Sequence, residues 1–311
     1  MSVLPDNITH WCGQCNKHLV VEPTPETLRA LLASGLTGVG ALAEHLEHKP
    51  LRRVGIDGDG LFWWTYGEFG THKTRFAITF PKPMDFHDVD LGARSIMTEV
   101  RAAGDQVQMT HYDPEDPSSY EKLAVAIGNF DPRRFTSLII DSGDSLERAA
   151  MTRAMQLSDH AFMELPDWIP SGERFGKVAR QLKWYTLAYG VQVLVTSNED
   201  IDKEYGKGAF VKEGKGLVAQ DPIAIKGLPS LAGKWAKKAC RLPDVIARSR
   251  YLNNEPVLVV RREAIGFGGA YWETKDRTGK LEHANLQWNG KQYANGFLPP
   301  HWPTLWEAIN K

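Results

Sequence analysis

No run of apolar residues in this 311-residue sequence approaches the length that crosses a bilayer. The first residues, MSVLPDNITH, lack the charged-then-apolar order of a secretory signal. Together these absences predict a soluble, cytosolic protein. Charge of one sign is also missing. The 37 Lys and Arg residues are balanced by 38 Asp and Glu residues, a formal net charge of −1. Any contact with nucleic acid must therefore come from local basic patches and not from a globally cationic surface. Cysteine is scarce, with three in the chain, two of them spaced Cys-x-x-Cys. That usage suits a reducing compartment better than a disulfide framework. There is no internal repeat and no low-complexity tract. The apolar fraction of 42% is ample for a proper core.

Against these absences one segment stands out. Residues 67–74 read GEFGTHKT, between the apolar run LFWWTY and RFAITF. This is the order strand, glycine loop, Lys-Thr, helix start of a phosphate-binding loop. Gly67 and Gly70 would keep side chains out of the way, so that backbone N–H groups from Gly67, Glu68, Phe69, Gly70, Thr71 and His72 can turn inward to phosphate oxygens. Lys73 would carry positive charge to the β- and γ-phosphates. Thr74 would offer a hydroxyl to Mg²⁺, with the helix N-terminus adding a partial positive field. His72 stands where the pattern G-x-x-x-x-G-K-[ST] has its second glycine, and a histidine tolerates positive φ less readily.

Beyond the loop, strand-like and helical runs alternate, which predicts an α/β fold with a mostly parallel sheet flanked by helices. A helix over 74–80 should stop before Pro81 and Pro83, and MDFHDVD reads as a strand ending in acids. Helices over 92–103 and 118–129 should alternate with strands near Val107 and at 137–141. A long helix after Asp144 should be broken by the proline-containing stretch 165–172, followed by a helix over 173–188 and a strand at 191–198. The later runs VLVVRR and AYWETKDR read as antiparallel additions. The strand SLIID ends in Asp141, placed to hold the Mg²⁺ shell. Because Ser142, and not a glutamate, follows it, the water-activating carboxylate must come from elsewhere. Asp88 and Asp90 are the candidates, with Asp90 the choice for the base.

These residues, in this order, resemble the RecA/recombinase superfamily of P-loop NTPases. YGEFGTHKT is similar to the GEFRTGKT form of the loop in that superfamily, whose members carry the catalytic acid at the end of the next strand, which matches Asp90. VLVTSNED resembles the strand ending in Asn-Gln that senses the γ-phosphate, which would map to Asn198 and, with a departure from the pattern, Glu199. WETKDRTGKL resembles the Lys-x-Arg element that reaches into a neighbouring subunit's nucleotide, here Lys275 and Arg277. The resemblance covers residues 55–285 and is strongest to the compact phage RecA-like ATPases of single-strand annealing and recombination. It implies an ATP- and Mg²⁺-dependent, oligomeric ring or filament that binds single-stranded DNA, with a single-stranded DNA-binding protein as a further partner. A translocating helicase-type motor and a non-hydrolysing, nucleotide-gated binding module are the alternatives.

Residue-level signals for DNA are a stripe of Lys234, Lys237, Lys238 and Arg241 on one helical face, and the segment 199–217. In that segment Tyr205 and Phe210 could stack on bases while lysines meet phosphates. The organisation expected is a module over 1–50, an ATPase core over 51–285 and a tail over 286–311 that packs on the core or on a neighbour. The first module has Cys12 and Cys15 in a knuckle-like Cys-x-x-Cys, and His45 and His48 three apart near the end of a helix over 25–48. Together they would complete a tetrahedral Zn²⁺ site; His10 and His18 compete as ligands, and a pair of reduced cysteines is the other reading. If the knuckle is real, purified protein should carry about one zinc per chain, lost when His45→Ala and His48→Ala are combined. Elemental analysis showing no metal, or unchanged metal in the double variant, rejects that ligand set.

Overall fold

The computed structural model describes residues 8–12, 17–21, 60–204, 210–213, 216–219, 224–231, 240–265 and 270–310. The chain divides into two compact units, residues 1–57 and 58–311. In the first, strands β1 (Ile8–Cys12) and β2 (Lys17–Val21) pair antiparallel, with Cys12 opposite Lys17. Cys15, His45 and His48 lie outside the described residues, as does the helix expected over 25–48.

The second unit is a mixed α/β structure around a largely parallel sheet. In chain order its strands are β3 (Phe62–Gly67), β4 (Met84–Asp88), β5 (Val107–His111), β6 (Ser137–Asp141), β7 (Gln192–Glu204), the separate hairpin β8 (Phe210–Glu213) and β9 (Gly216–Ala219), then β10 (Ala224–Pro229), β11 (Val245–Leu252), β12 (Glu255–Val259), β13 (Glu263–Ala264), β14 (Tyr271–Trp272) and β15 (Lys275–Asp276). The spatial order β5-β4-β6-β7-β3-β11 is parallel throughout. Strand β12 (Glu255–Val259) then adds antiparallel to β11, as the run VLVVRR suggested. The other late run splits. Residues Lys275–Asp276 (β15) pair antiparallel with β11, whereas Tyr271–Trp272 (β14) pair parallel with β10 (Ala224–Pro229).

Both faces of the sheet are covered, which explains why β3 is buried along its whole length and reads as a continuous run of large residues. Successive side chains still point to opposite faces. Phe62, Trp64 and Tyr66 join one core layer with Phe175 and Leu182, while Trp63 joins the other with Phe76, Phe80 and Trp302. The first layer is roofed by helices over Ser119–Gly128, Gly143–Ser158 and Leu165–Tyr189. The second is roofed by the short helix Lys73–Ala77, the helix Met97–Ala103 and the terminal helix Trp302–Asn310. No helix among the described residues is long and apolar enough to cross a membrane.

Three local expectations are corrected. The stretch 165–172 does not break a helix but begins one that runs unbroken from Leu165 to Tyr189. Pro166 sits in the first turn, where N–H groups have no intrahelical partner anyway, and Glu164 and Asp167 form a reciprocal capping box. Pro170 forfeits a bond, but Phe175, Val178, Ala179, Leu182 and Tyr185 recur on one buried stripe and outweigh it. The helix after the glycine loop stops at Ala77, not at residue 80. Strand β7 runs on past Asn198 to Glu204, because its second half finds a new antiparallel partner in β10.

Residues 286–310 belong to the same compact unit as the loop. A small hairpin, Leu286–Trp288 with Lys291–Tyr293, and a strand at Phe297–Leu298 lead to the terminal helix. There Trp302 is buried against Phe80 (ring centroids 4.2 Å apart) and Trp63 (5.6 Å). Trp302→Ala should therefore cost about 3–5 kcal/mol in chemical denaturation, the range for truncating a large buried aromatic. A loss below about 1 kcal/mol would place the terminal helix outside the core.

Candidate functional site

Register brings the site together. In the parallel sheet Gly67 lies opposite Asn198 and Ser249, and Asp88 lies opposite Asp141. Five strands, β4, β6, β7, β3 and β11, thus bring these positions to the same end of the parallel sheet, where ligands of open α/β sheets sit. The loop after β3 opens into a cleft of about 410 Å³ lined by Phe69, Gly70, Thr71, His72, Lys73, Thr74, Arg75, Asp90, Gly92, Ser95, Asp141, Ser142 and Asn198. Gly67 and Glu68 form the strand end and loop start behind it.

The loop conformation accounts for its residue types. A Cβ on Gly67 would overlap the carbonyl oxygen of Ser249, so a side chain there is sterically excluded. Gly70 has φ +77°. His72 occupies the left-handed region, φ 63° and ψ 18°, which is the conformation that a glycine in its place would supply. The imidazole meets Tyr251 edge to face, with centroids 5.7 Å apart. Strand β11 clasps the loop from outside: Tyr251 donates its hydroxyl to the Gly70 carbonyl (3.1 Å) and Ser249 donates to the Thr71 carbonyl.

Lys73 folds over the loop, its ammonium donating to the carbonyls of Gly67 (2.9 Å) and Glu68 (2.8 Å). Burial lowers its pKa, partly offset by the negative charges of Asp141 and Asp144. The following helix is only five residues long, so it carries little macrodipole and the positive character of the cleft rests on Lys73 and the loop amides.

Thr74 donates its hydroxyl to one oxygen of Asp141 (2.7 Å), and Thr196 donates to the other. Burial pushes the Asp141 carboxyl up, and the bonds from these two hydroxyls offset only part of the rise. The peptide from Asp141 to Ser142 is cis. Asp88, also buried, accepts from the backbone N–H of Gly92 (3.0 Å) and lies 2.7 Å from the His111 imidazole. Asp90 sits at the cleft rim. Desolvation, followed by the nearby charge of Asp141, raises its carboxyl to about 7, against a lowering bond from the Gly92 N–H. Oxygens of Asp88, Asp90 and Asp141 lie within 4.8 Å of one another. This all-oxygen, hydroxyl-plus-carboxylate set suits a hard divalent cation such as Mg²⁺, and Thr74 and Asp141 are its nearest pair to the phosphate loop.

Asn198 faces the cleft, its amide donating to Asp144 (2.8 Å). Glu199 does not. Its carboxylate receives two bonds from Arg248, at 2.9 and 3.2 Å, and Arg248 lies 3.7 Å over the ring of Trp272. The repulsion that a carboxylate beside a phosphate would cause is thereby removed.

Lys275 and Arg277 are not part of this cleft. Lys275 pairs with Ile246, near the start of β11 and level with Trp64 of β3, roughly 10 Å of strand before Gly67. Its ammonium binds the carbonyls of Cys240, Arg241 and Pro243, and burial with the adjacent Arg277 lowers its pKa to about 8. Arg277 is exposed and donates to the Arg241 carbonyl (2.9 Å). Of the basic stripe, Lys234, Lys237 and Lys238 lie outside the described residues, as does Tyr205; Phe210 is described only as part of a short strand.

Sequence reasoning missed Thr196, Arg248, Ser249 and Tyr251. For Arg248 there was a signal: an arginine inside VIARSRYL must be buried and needs a carboxylate partner. Comparison with protein-family models and with curated proteins finds no match to the chain.

The left-handed geometry at position 72 makes its own prediction. His72→Gly should leave stability within about 1 kcal/mol of the parent, whereas β-branched His72→Val should lose roughly 1–2 kcal/mol in thermal or chemical unfolding. Equal stabilities would mean that this backbone position is not left-handed in solution.

Proposed function

We propose that this chain is a Mg²⁺-dependent, RecA-like P-loop ATPase that works as an oligomer on single-stranded DNA in recombination or annealing. The observation that carries the reading is the Thr74–Asp141 hydrogen bond at the mouth of the glycine loop. It joins the two groups that would share Mg²⁺, beside the lysine that would meet the phosphates. When bound, Mg²⁺ would neutralise charge on the β- and γ-oxygens. Lys73 exchanges its two loop carbonyls for phosphate oxygens, and the amides of residues 70–74 donate to the same groups. Asp90, with a carboxyl near 7, takes the proton of the attacking water. Asn198, held by Asp144, lies at the end of the central strand, where a γ-phosphate can be sensed.

Two features that favoured a non-hydrolysing module lose their force. His72 has the backbone geometry of the glycine it replaces, and Glu199 is neutralised by Arg248. The oligomeric part of the proposal rests on the resemblance of Lys275 and Arg277 to a finger element; they are not among the residues that line this subunit's cleft, so in this reading the nucleotide they meet is one held by another copy. The DNA part rests on the segment after Asn198. There β7 leaves the parallel sheet to form antiparallel ribbons, including the hairpin of Phe210–Glu213 with Gly216–Ala219.

ATP turnover with and without single-stranded DNA tests the whole reading. Lys73→Ala should abolish ATP binding. Asp90→Asn should bind normally and lose turnover by about 10²-fold or more, a general base being worth roughly 10²–10⁴. Parent-like turnover in Asp90→Asn would remove it from the mechanism, and DNA without effect on turnover would remove DNA as the partner.

A further inference from the structure

Beside the phosphate cleft lies a second cavity, about 580 Å³, on the other side of His72 and Arg75. Those two residues line both spaces, so the two cavities are neighbours with the His72 and Arg75 side chains between them. The linings differ in chemistry. The phosphate cleft is polar, and apart from His72, which the two cavities share, its ring is Phe69, which projects to solvent. The second cavity has His72, Phe76, Trp288 and Tyr293 in its wall, with the flat rings of Pro256 and Pro300. Its polar groups are Glu99, Glu255, Asn289 and Lys291, of which Glu255 and Lys291 are paired with each other (2.5 Å). Glu99 has no hydrogen-bond or ion-pair partner among the described residues, and it is exposed on the helix Met97–Ala103.

A nucleoside needs what the phosphate cleft lacks: ring faces to cover the base, and a few hydrogen-bonding groups to take its edge and the ribose hydroxyls. The small hairpin Leu286–Trp288 with Lys291–Tyr293 supplies both. Trp288 is set on one side by stacking with His301 (centroids 5.5 Å, 21° between planes) and leans on Tyr293 at 6.4 Å. The ring is thus fixed in place before any ligand arrives, which spares the ordering cost of binding. Asn289, at the hairpin turn with φ 49°, presents an amide that can donate and accept at once, the complement of a base edge with adjacent donor and acceptor.

We propose that this second cavity is the nucleoside subsite of the chain. The base lies against the Trp288–Tyr293 hairpin, Asn289 reads its edge, and Glu99 accepts the ribose hydroxyls. The inference rests on the nucleotide reading of the loop and gives the C-terminal hairpin, outside the span of the family resemblance, a binding role.

Calorimetric titration of the full-length protein with Mg²⁺, using ATP and inorganic tripolyphosphate as separate ligands, tests it. Tripolyphosphate engages the loop without a base. Trp288→Ala should weaken ATP at least about fivefold, the lower end of what a stacked base contributes, and leave tripolyphosphate unchanged. Asn289→Gly keeps the positive φ, removes the amide and should weaken ATP alone; Glu99→Gln, on an exposed helix surface, should do the same without touching the fold. Trp288→Phe, which keeps a ring, should recover most of the affinity lost in Trp288→Ala. If the parent binds both ligands and these variants bind ATP as the parent does, the subsite is overturned while the loop reading stands. Loss of ATP affinity in Phe69→Ala alone would place the base at the solvent-facing ring instead. A parent that binds neither ligand overturns both readings together.

Discussion

The rest of the site depends on one buried carboxylate. Asp141 ends a central strand, buried in the wall of the cleft, and a charged group in that position is unstable unless donors surround it. Two threonine hydroxyls do so, one from the phosphate loop's helix and one from β7, whose backbone pairs with β3 and β6 on its two sides. The same bonds that make the charge tolerable fix the loop to the sheet. Losing Thr74 would leave a buried anion short of a donor and the loop short of an anchor in one step. Electrostatics and loop geometry are therefore a single constraint at this point in the fold.

A second charged network stands behind the first. Arg248 is almost fully buried, shared between Glu199 and, at 3.6 Å, Glu263, and lies on the face of Trp272. Gly227 allows that ring to approach, since a Cβ there would collide with it. The strand that carries Asn198 into the cleft is thus tied, one residue later, to the strand that clasps the loop from outside. Removing only one partner of such a pair leaves an uncompensated buried charge, which is why truncating Arg248 should be worse than replacing the pair together.

The readable part of the fold was the part written in periodicity. Strands such as SLIID and the buried run before the loop announce themselves by composition, and β6 spans the residues expected of it. Boundaries failed where tertiary context decided them. The prolines at 166 and 170 signal a break by local chemistry alone, but the apolar stripe from Phe175 to Tyr185 holds the helix together from a distance. The site was legible to the same degree. That Gly67, Lys73, Thr74 and Asp141 would meet around one cleft was readable from spacing, because the loop and the strand-ending acid each follow an apolar run of the sheet. Ser249, Tyr251 and Thr196 could not, since nothing in their own segments marks them; only sheet register brings them to the loop.

The contacts from β11 also decide which way the loop's dipoles face. Each peptide group between Gly70 and His72 is a rigid trans plate, with its carbonyl and its N–H pointing to opposite sides. Tyr251 takes hold of the plate at Gly70 and Ser249 of the plate at Thr71, both by the oxygen and both from behind. The hydrogens on Thr71 and His72 are then forced to the front. Two hydroxyls that no bound anion would touch thus set the polarity of the surface that an anion would meet.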